Sequence, residues 1–161
     1  MAEGIFNLRK AKIGDVPQIH ALVNSFATKG EMLGRSRSEL YEGLRDFYVA
    51  EKEDVILGCS ALHINWEDLA EVRSLAVTPD LQGKGLGKAL VNACVEEARS
   101  LGIMRVYALT YRPLFFEGVG FIRVPKESLP HKVWGDCLKC PQFPNCDEDA
   151  VIMELWPNVS C

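Results

Sequence analysis

The chain has 161 residues, with 18 Lys+Arg against 22 Asp+Glu for a formal net charge of −4, and is 48% hydrophobic and 25% charged. That length suits one domain spanning residues 1–161, the composition excludes a disordered chain, and the mildly acidic balance argues against nucleic acid as the main partner. No apolar run approaches the roughly 20 residues of a membrane helix, and Met1-Ala2-Glu3-Gly4 lacks a signal-peptide core, so the chain reads as cytoplasmic with no membrane partner.

Residues 5–11 alternate as a strand does. After Gly14-Asp15 the spacing becomes helical through Val16, Ile19, Leu22, Val23 and Phe26, with Pro17 suited to a first turn and Lys29-Gly30 as the stop. A second short helix starts near Ser36 or Ser38, either of which can cap it, with Leu40, Tyr41 and Leu44 inward. Two strands, 47–51 and 55–64, meet at a tight turn over Glu53-Asp54, and a third covers 70–77. A glycine-rich turn leads into a helix from Leu86 to Leu101, whose expected apolar face is Leu86, Leu90, Ala93 and Ala98. Lys88, Asn92, Glu96 and Arg99 face water on this reading, and Gly102 ends the helix. A buried-type strand at 106–110, a short helix at 114–118, a strand at 121–124 and a closing strand at 151–155 follow. Residues 125–148 read as an irregular Cys- and Pro-rich insertion before that last strand. The order β-α-α-β-β-β-α-β-α-β indicates an α+β fold, a sheet with helices on both faces.

The most informative stretch is Gln82-Gly83-Lys84-Gly85-Leu86-Gly87-Lys88, between a strand and an amphipathic helix. A helix N-terminus offers unpaired N–H groups and partial positive charge to a pyrophosphate, and glycines let the backbone approach the anion closely. Lys84 and Lys88 add cationic charge. The spacing is not that of a Walker loop, and a dinucleotide fold would place its glycines after the first strand rather than halfway along the chain. A plain glycine turn that merely starts a helix is the alternative.

Glu71-Val72-Arg73-Ser74-Leu75-Ala76-Val77-Thr78-Pro79 followed by Gln82-x-x-Gly85-x-Gly87 resembles the acetyl-CoA signature of the GNAT N-acetyltransferases. Phe115-Phe116-Glu117-Gly118-Val119-Gly120-Phe121 is similar to the same family's short helix ending in Gly-Phe. Three stretches further resemble the short amino-acid N-acetyltransferases that make N-acetylglutamate. They are Leu33-Gly34-Arg35-Ser36 with Glu39-Leu40-Tyr41, then Arg73 to Val77, and His131 to Cys137 with Cys140-Pro141; Gly34 departs from the proline expected there.

The resemblance implies the GNAT fold, a mostly antiparallel central sheet, and acetyl transfer from acetyl-CoA to an amine in a ternary complex. It implies that the strand before the loop splays from its neighbour and offers the backbone of Leu75, Ala76 and Val77 to the pantetheine arm. The Leu75 N–H is then the candidate donor to the thioester oxygen. The loop residues Gln82, Gly83, Lys84, Gly85, Leu86, Gly87 and Lys88, with Phe115 and Phe116, complete the expected cofactor contacts. Regular alternation would put Glu71, Arg73, Leu75 and Val77 on one face if no bulge intervenes. Glu71 then fits a general base and Arg73 a fork for a substrate carboxylate, against the alternative of a solvated ion pair. Many family members carry a tyrosine acid where this chain has Phe116; Tyr111 is the nearby substitute, unless it is a packed aromatic. Arg35, Arg73 and Lys132 could form a cationic pocket for an acceptor with two carboxylates, such as L-glutamate in arginine biosynthesis.

Other readings stay open: a GNAT enzyme for another small amine, such as a polyamine or an antibiotic, or for a protein N-terminus, or a non-catalytic CoA-binding module that senses metal or redox state. The sequence does not fix the assembly state, a homodimer included. Cys59 and Cys94 read as packed small hydrophobes, and Cys161 lies at the end of the sequence. Cys137, Cys140 and Cys146 have the compact spacing of metal ligands, with structural zinc, a redox pair or plain reduced thiols as the alternatives. His131 or Asp147 could complete a zinc site, while His20 and His63 read as structural.

Overall fold

A computed structural model describes residues 6–130, 133 and 148–155. The strands are β1 Asn7–Lys10, β2 Phe47–Lys52, β3 Val55–Trp66, β4 Leu69–Val77, β5 Arg105–Thr110, β6 Ile122–Val124 and β7 Asp149–Glu154. The helices are α1 Val16–Ala27, α2 Arg37–Glu42, α3 Leu86–Leu101 and α4 Pro113–Val119. The sheet order is β1-β2-β3-β4-β5-β7-β6. The β1–β2, β2–β3, β5–β7 and β6–β7 pairings are antiparallel, and β4–β5 is parallel. Contacts divide the chain into two compact units, Met1–His63 with Val72–Glu97, and Ile64–Glu71 with Ala98–Cys161.

In the first unit, β2 shows how one strand serves two layers. Phe47 and Val49 join Cys59, Ala61 and Ala76 against the α1 and α2 residues Val16, Ile19, Val23, Phe26 and Leu40. The intervening Tyr48 and Ala50 lie in the cluster formed with Leu86 and Leu90 of α3. Period-2 alternation thus gives each face its own helices. Ser36 caps α2 by accepting the Glu39 N–H at 3.1 Å, and Glu39 Oε1 accepts the Ser36 N–H at 2.8 Å. That reciprocal box selects Ser36 over Ser38 as the helix start. Glu53 and Asp54 both adopt positive φ, 50° and 68°, as a tight hairpin turn requires.

The buried stripe of α3 differs from the expected one. Leu86, Leu90, Val91, Cys94, Val95 and Ala98 are buried, whereas Ala93 is only half-buried. Counting Ala93 as core missed the neighbouring larger side chains, which fill more of the space under the helix. Cys59 and Cys94 are buried free thiols, and burial pushes each up to about 12, so they pack as hydrophobes.

In the second unit Leu69, Tyr107, Leu129, Val133, Ala150 and Ile152 form the core. The closing strand begins at Asp149, earlier than the sequence pattern indicates, because its backbone pairs with Thr110. Arg99 is half-buried and donates to the Leu155 carbonyl at 2.8 Å, not to solvent as its helix position suggested. Within 125–148, Lys126–Ser128 forms a 3-10 turn and both Leu129 and Val133 are buried.

One charged group is buried beside the first core. Asp15 accepts two hydrogen bonds from the Arg9 guanidinium, at 2.8 and 3.0 Å, and one from the Lys12 N–H at 2.7 Å. Those bonds, the Arg9 pair first, hold its carboxyl below the usual carboxylate range. Asp15→Asn should cost about 1–3 kcal/mol by weakening two charge-assisted bonds, while Arg9 keeps Glu51 as a partner. Because the folded pKa is depressed, the Asp15 contribution is complete above the unfolded value of about 3.9 and disappears as pH falls through the folded one. Urea unfolding across pH should therefore show a wild-type advantage that is constant near neutrality and closes in acid.

Candidate active site

β4 carries the decisive local geometry. Ser74 has φ of 55°, a left-handed conformation that a non-glycine residue adopts rarely. Up to that point the strand alternates, with Ala70 and Val72 buried and Glu71 and Arg73 partly exposed. Beyond it, Ala76 joins the cluster under α1 and α2, while Leu75 and Val77 pack with α3. The expectation that Glu71, Arg73, Leu75 and Val77 share one face is therefore corrected. The bulge shifts the alternation by one residue, and Leu75 and Val77 turn to the α3 side.

Arg73 is half-buried, and its charge acts on Glu39. The Glu39 carboxyl is held below the usual range, first by the Ser36 N–H and then by the charges of Arg35 and Arg73. Arg35 Nη1 lies 3.8 Å from Glu39 Oε2. Of the three expected substrate cations, Arg35 thus lies beside this carboxylate and Arg73 acts on it more weakly. The third, Lys132, lies outside the described residues, as do Cys137, Cys140 and Cys146. Among the described residues, no group of three or more His, Cys, Asp or Glu side chains could hold a metal ion.

In the second unit, Glu71 sits in register with Tyr107, whose hydroxyl donates to Glu71 Oε1 at 3.4 Å. The parallel β4–β5 register runs only from Leu69 with Arg105 to Glu71 with Tyr107. Tyr111 is half-buried just after β5. Phe116 is 4% exposed, with its ring edge-on to both Phe115 and Phe121 at 5.2 Å, so the core occupies the ring expected at the cofactor. Phe115 remains half-buried.

The loop before α3 has the features an anion requires. Gly83 and Gly85 hold φ of 78° and 91°, and nothing lies within 4 Å of where a Cβ would sit on either. The Ala89 N–H donates to the Gly85 carbonyl as the helix begins, so the N–H groups of Leu86, Gly87 and Lys88 precede the first helical bond. Lys84 and Lys88 are exposed. Gln82 Nε2 donates to the Val77 carbonyl at 3.0 Å, tying the loop to the end of β4. An expected cofactor contact is thus also a tether. These residues fit a pyrophosphate bound through backbone N–H groups with lysines alongside.

Gly58 escaped the sequence reading, although an isolated glycine in a strand signals close approach. A Cβ there would meet Leu90 Cδ1 at 3.0 Å and the Ala76 carbonyl at 3.1 Å. Nearby, Ser60 Oγ donates to the Leu90 carbonyl at 3.2 Å. The sheet therefore holds the first turns of α3 closely, which fixes the loop. Tyr107 also went unnoticed, and Glu39 entered only as part of a family stretch, although the Ser36-x-x-Glu39 spacing was a usable signal of its capping role.

The sequence model of the Acetyltransferase (GNAT) family matches residues 17–121. The chain belongs to the GNAT acetyltransferase family. It is 36% identical over 148 residues to an uncharacterized N-acetyltransferase of Chlorobaculum tepidum, covering 92% of this chain and 96% of that one. An amino-acid acetyltransferase of Mycobacterium tuberculosis is 40% identical over 135 residues, covering 82% of this chain and 77% of the relative. Among solved structures, N-acetylglutamate synthase from Neisseria gonorrhoeae, complexed with coenzyme A and N-acetyl-glutamate, superposes with a TM-score of 0.85 at 29% identity, covering 94% of this chain and 35% of that one. This GNAT chain is an acetyl-CoA-dependent N-acetyltransferase of the amino-acid acetyltransferase type, with small-molecule substrates. Among its described residues no helix is long and apolar enough to cross a membrane.

Gly58→Ala should lower stability by about 1–3 kcal/mol, since the sheet and Leu90 must separate to admit the methyl group. The same displacement should raise the KM for acetyl-CoA while leaving the acceptor KM unchanged, measurable by steady-state kinetics with each substrate varied.

Proposed function

We propose that this enzyme acetylates the α-amine of a carboxylate-bearing amino acid, with L-glutamate the first candidate and arginine biosynthesis in the cytoplasm its setting. The observation that carries this reading is the Arg35 guanidinium 3.8 Å from the Glu39 carboxylate, with the charge of Arg73 acting more weakly on the same group. A place where two guanidinium groups already attract a carboxylate suits an acidic acceptor and opposes a polyamine. The similarity to an N-acetylglutamate synthase complexed with N-acetyl-glutamate supports the same acceptor.

In the mechanism we propose, acetyl-CoA lies with its pyrophosphate on the N–H groups that open α3, among Gly83, Lys84, Gly85, Leu86, Gly87 and Lys88. Its pantetheine arm follows the backbone of Leu75, Ala76 and Val77. Glu71 takes a proton from the substrate ammonium, directly or through water, and the neutral amine attacks the thioester carbonyl carbon. The Leu75 N–H donates to the carbonyl oxygen as negative charge develops there. The C–S bond then breaks, and coenzyme A leaves as a thiolate that needs no strong acid near neutral pH. The new amide nitrogen gives up its remaining extra proton to that thiolate or to water. Tyr111 is the residue that would donate a proton to the thiolate. Tyr107, donating to Glu71 Oε1, orients the carboxylate. Structural zinc on Cys137, Cys140 and Cys146 rests on their spacing alone, and metal analysis of chelator-free protein giving a stoichiometry near zero removes it.

Thiol release from acetyl-CoA across a panel of amino acids and amines tests the reading. Turnover with glutamate or glutamine supports it; turnover confined to polyamines, antibiotics or peptide N-termini overturns it, and acetyl-CoA binding without any release indicates a non-catalytic module. Glu71→Gln should lower kcat by about a hundredfold or more and flatten the pH profile. Rates equal to wild type between about pH 6 and 9 would remove Glu71 as the base.

A further inference from the structure

Arg35 is held by its backbone, and the holder lies in α1. Asn24 Nδ2 donates to the Arg35 carbonyl at 2.9 Å and to the His20 carbonyl at 2.8 Å, one turn back in its own helix. Asn24 Oδ1 accepts the Arg35 N–H at 3.2 Å. One carboxamide therefore pairs with both peptide groups of a residue eleven positions away, as a neighbouring strand would. The bond to His20 fixes the rotamer from which it does so.

This contact explains Gly34. A Cβ on residue 34 would lie 2.7 Å from Asn24 Oδ1 and 3.4 Å from Ala27 Cβ. Any side chain at that position, the expected proline included, would push the carboxamide off the Arg35 N–H. On the other flank, Ser36 opens the α2 capping box, and its partner Glu39 lies beside the Arg35 guanidinium. Arg35 is thus fixed before and after, with a side chain only 20% exposed. An arginine side chain has many rotamers, and ligand binding must select among them. Anchoring its backbone in advance reduces what the ligand has to order.

We propose that Asn24, through the space left by Gly34, is the positioning residue of the acceptor site and presents Arg35 to the acceptor carboxylate. This rests on the reading of Arg35 given under the proposed function. The two sit at contact distance in one compact unit, so the coupling needs no longer path.

The full-length enzyme, assayed with saturating acetyl-CoA and the amino acid identified by the panel, supplies the test. Asn24→Ala should raise the acceptor KM at least about tenfold, as the loss of two hydrogen bonds on one residue implies. The acetyl-CoA KM and kcat should stay within about twofold of wild type. Asn24→Asp, which keeps the acceptor for the Arg35 N–H but loses the donor, should fall between. Gly34→Ala should mimic Asn24→Ala alone and add less than about twofold in the Asn24→Ala background, because the obstructing oxygen is then gone. Thermal melts of each variant confirm folding. An unchanged acceptor KM in Asn24→Ala, equal losses for both substrates, or additive Asn24 and Gly34 effects would overturn the proposal. If Arg35→Gln raises the acceptor KM and Asn24→Ala does not, only this proposal falls. If Arg35→Gln leaves the acceptor KM unchanged, or wild type turns over no amino acid, the functional reading falls and takes this proposal with it.

Discussion

A single left-handed residue, Ser74 at φ of 55°, sets what β4 can display. A regular strand offers each face every second residue, so a run such as Glu71, Arg73, Leu75, Val77 would mix charged and apolar groups on one side. Burying that face would strand two charges among hydrocarbon, and exposing it would waste two core residues. The bulge removes the conflict by changing sides in mid-strand. Arg73 acts on Glu39, while Leu75 and Val77 contribute to the cluster under α3. The left-handed conformation costs about 1–2 kcal/mol at a residue with a side chain, and the apolar contacts of the residues after it offset that cost.

Two glycines work by absence, in different ways. Gly58 brings the first turns of α3 against the sheet, so the helix N-terminus is set by packing rather than by loop conformation. Gly34 leaves room for another residue's polar atom, so a peptide group is held by a side chain. In both cases a missing methyl group fixes the position of a charged or partially charged group for which a role in binding is proposed. An acidic protein can in this way keep local positive potential where it is needed: net charge describes the surface average, whereas fixed guanidinium groups and helix N–H groups act within a few ångströms.

Much of this was legible in the sequence. Helical spacing in Val16–Ala27 and Leu86–Leu101, the Glu53-Asp54 turn and the glycine loop all use local rules, and local rules are written in adjacent residues. The GNAT motif pointed to the glycine loop before α3, whose geometry fits an anion. What escaped depended on partners distant in sequence. Ser74 sits in a stretch that alternates normally, and nothing in Arg73-Ser74-Leu75 announces a bulge, because the packing of residues on either side decides it. Asn24 looks like any polar residue on an amphipathic helix, since its partner is eleven residues away. Phe116 matched a family position for cofactor chemistry, yet Phe115 and Phe121 claim its ring for the core. Val91 and Val95 were overlooked for Ala93 because a small residue fits either face of a helix.

The ends of the strand order are short: β1 has four residues and β6 three. Each carries a charged side chain engaged by a carboxylate, Arg9 with Asp15 and Glu51 in one case and Arg123 with Glu117 in the other. An incoming strand from another chain would find few free backbone groups in line and would have to desolvate those ion pairs to reach them. The Arg9 network therefore does more than support the first core. It is also a barrier to sheet extension, so that loss of Asp15 would expose the molecule to aggregation as well as to unfolding.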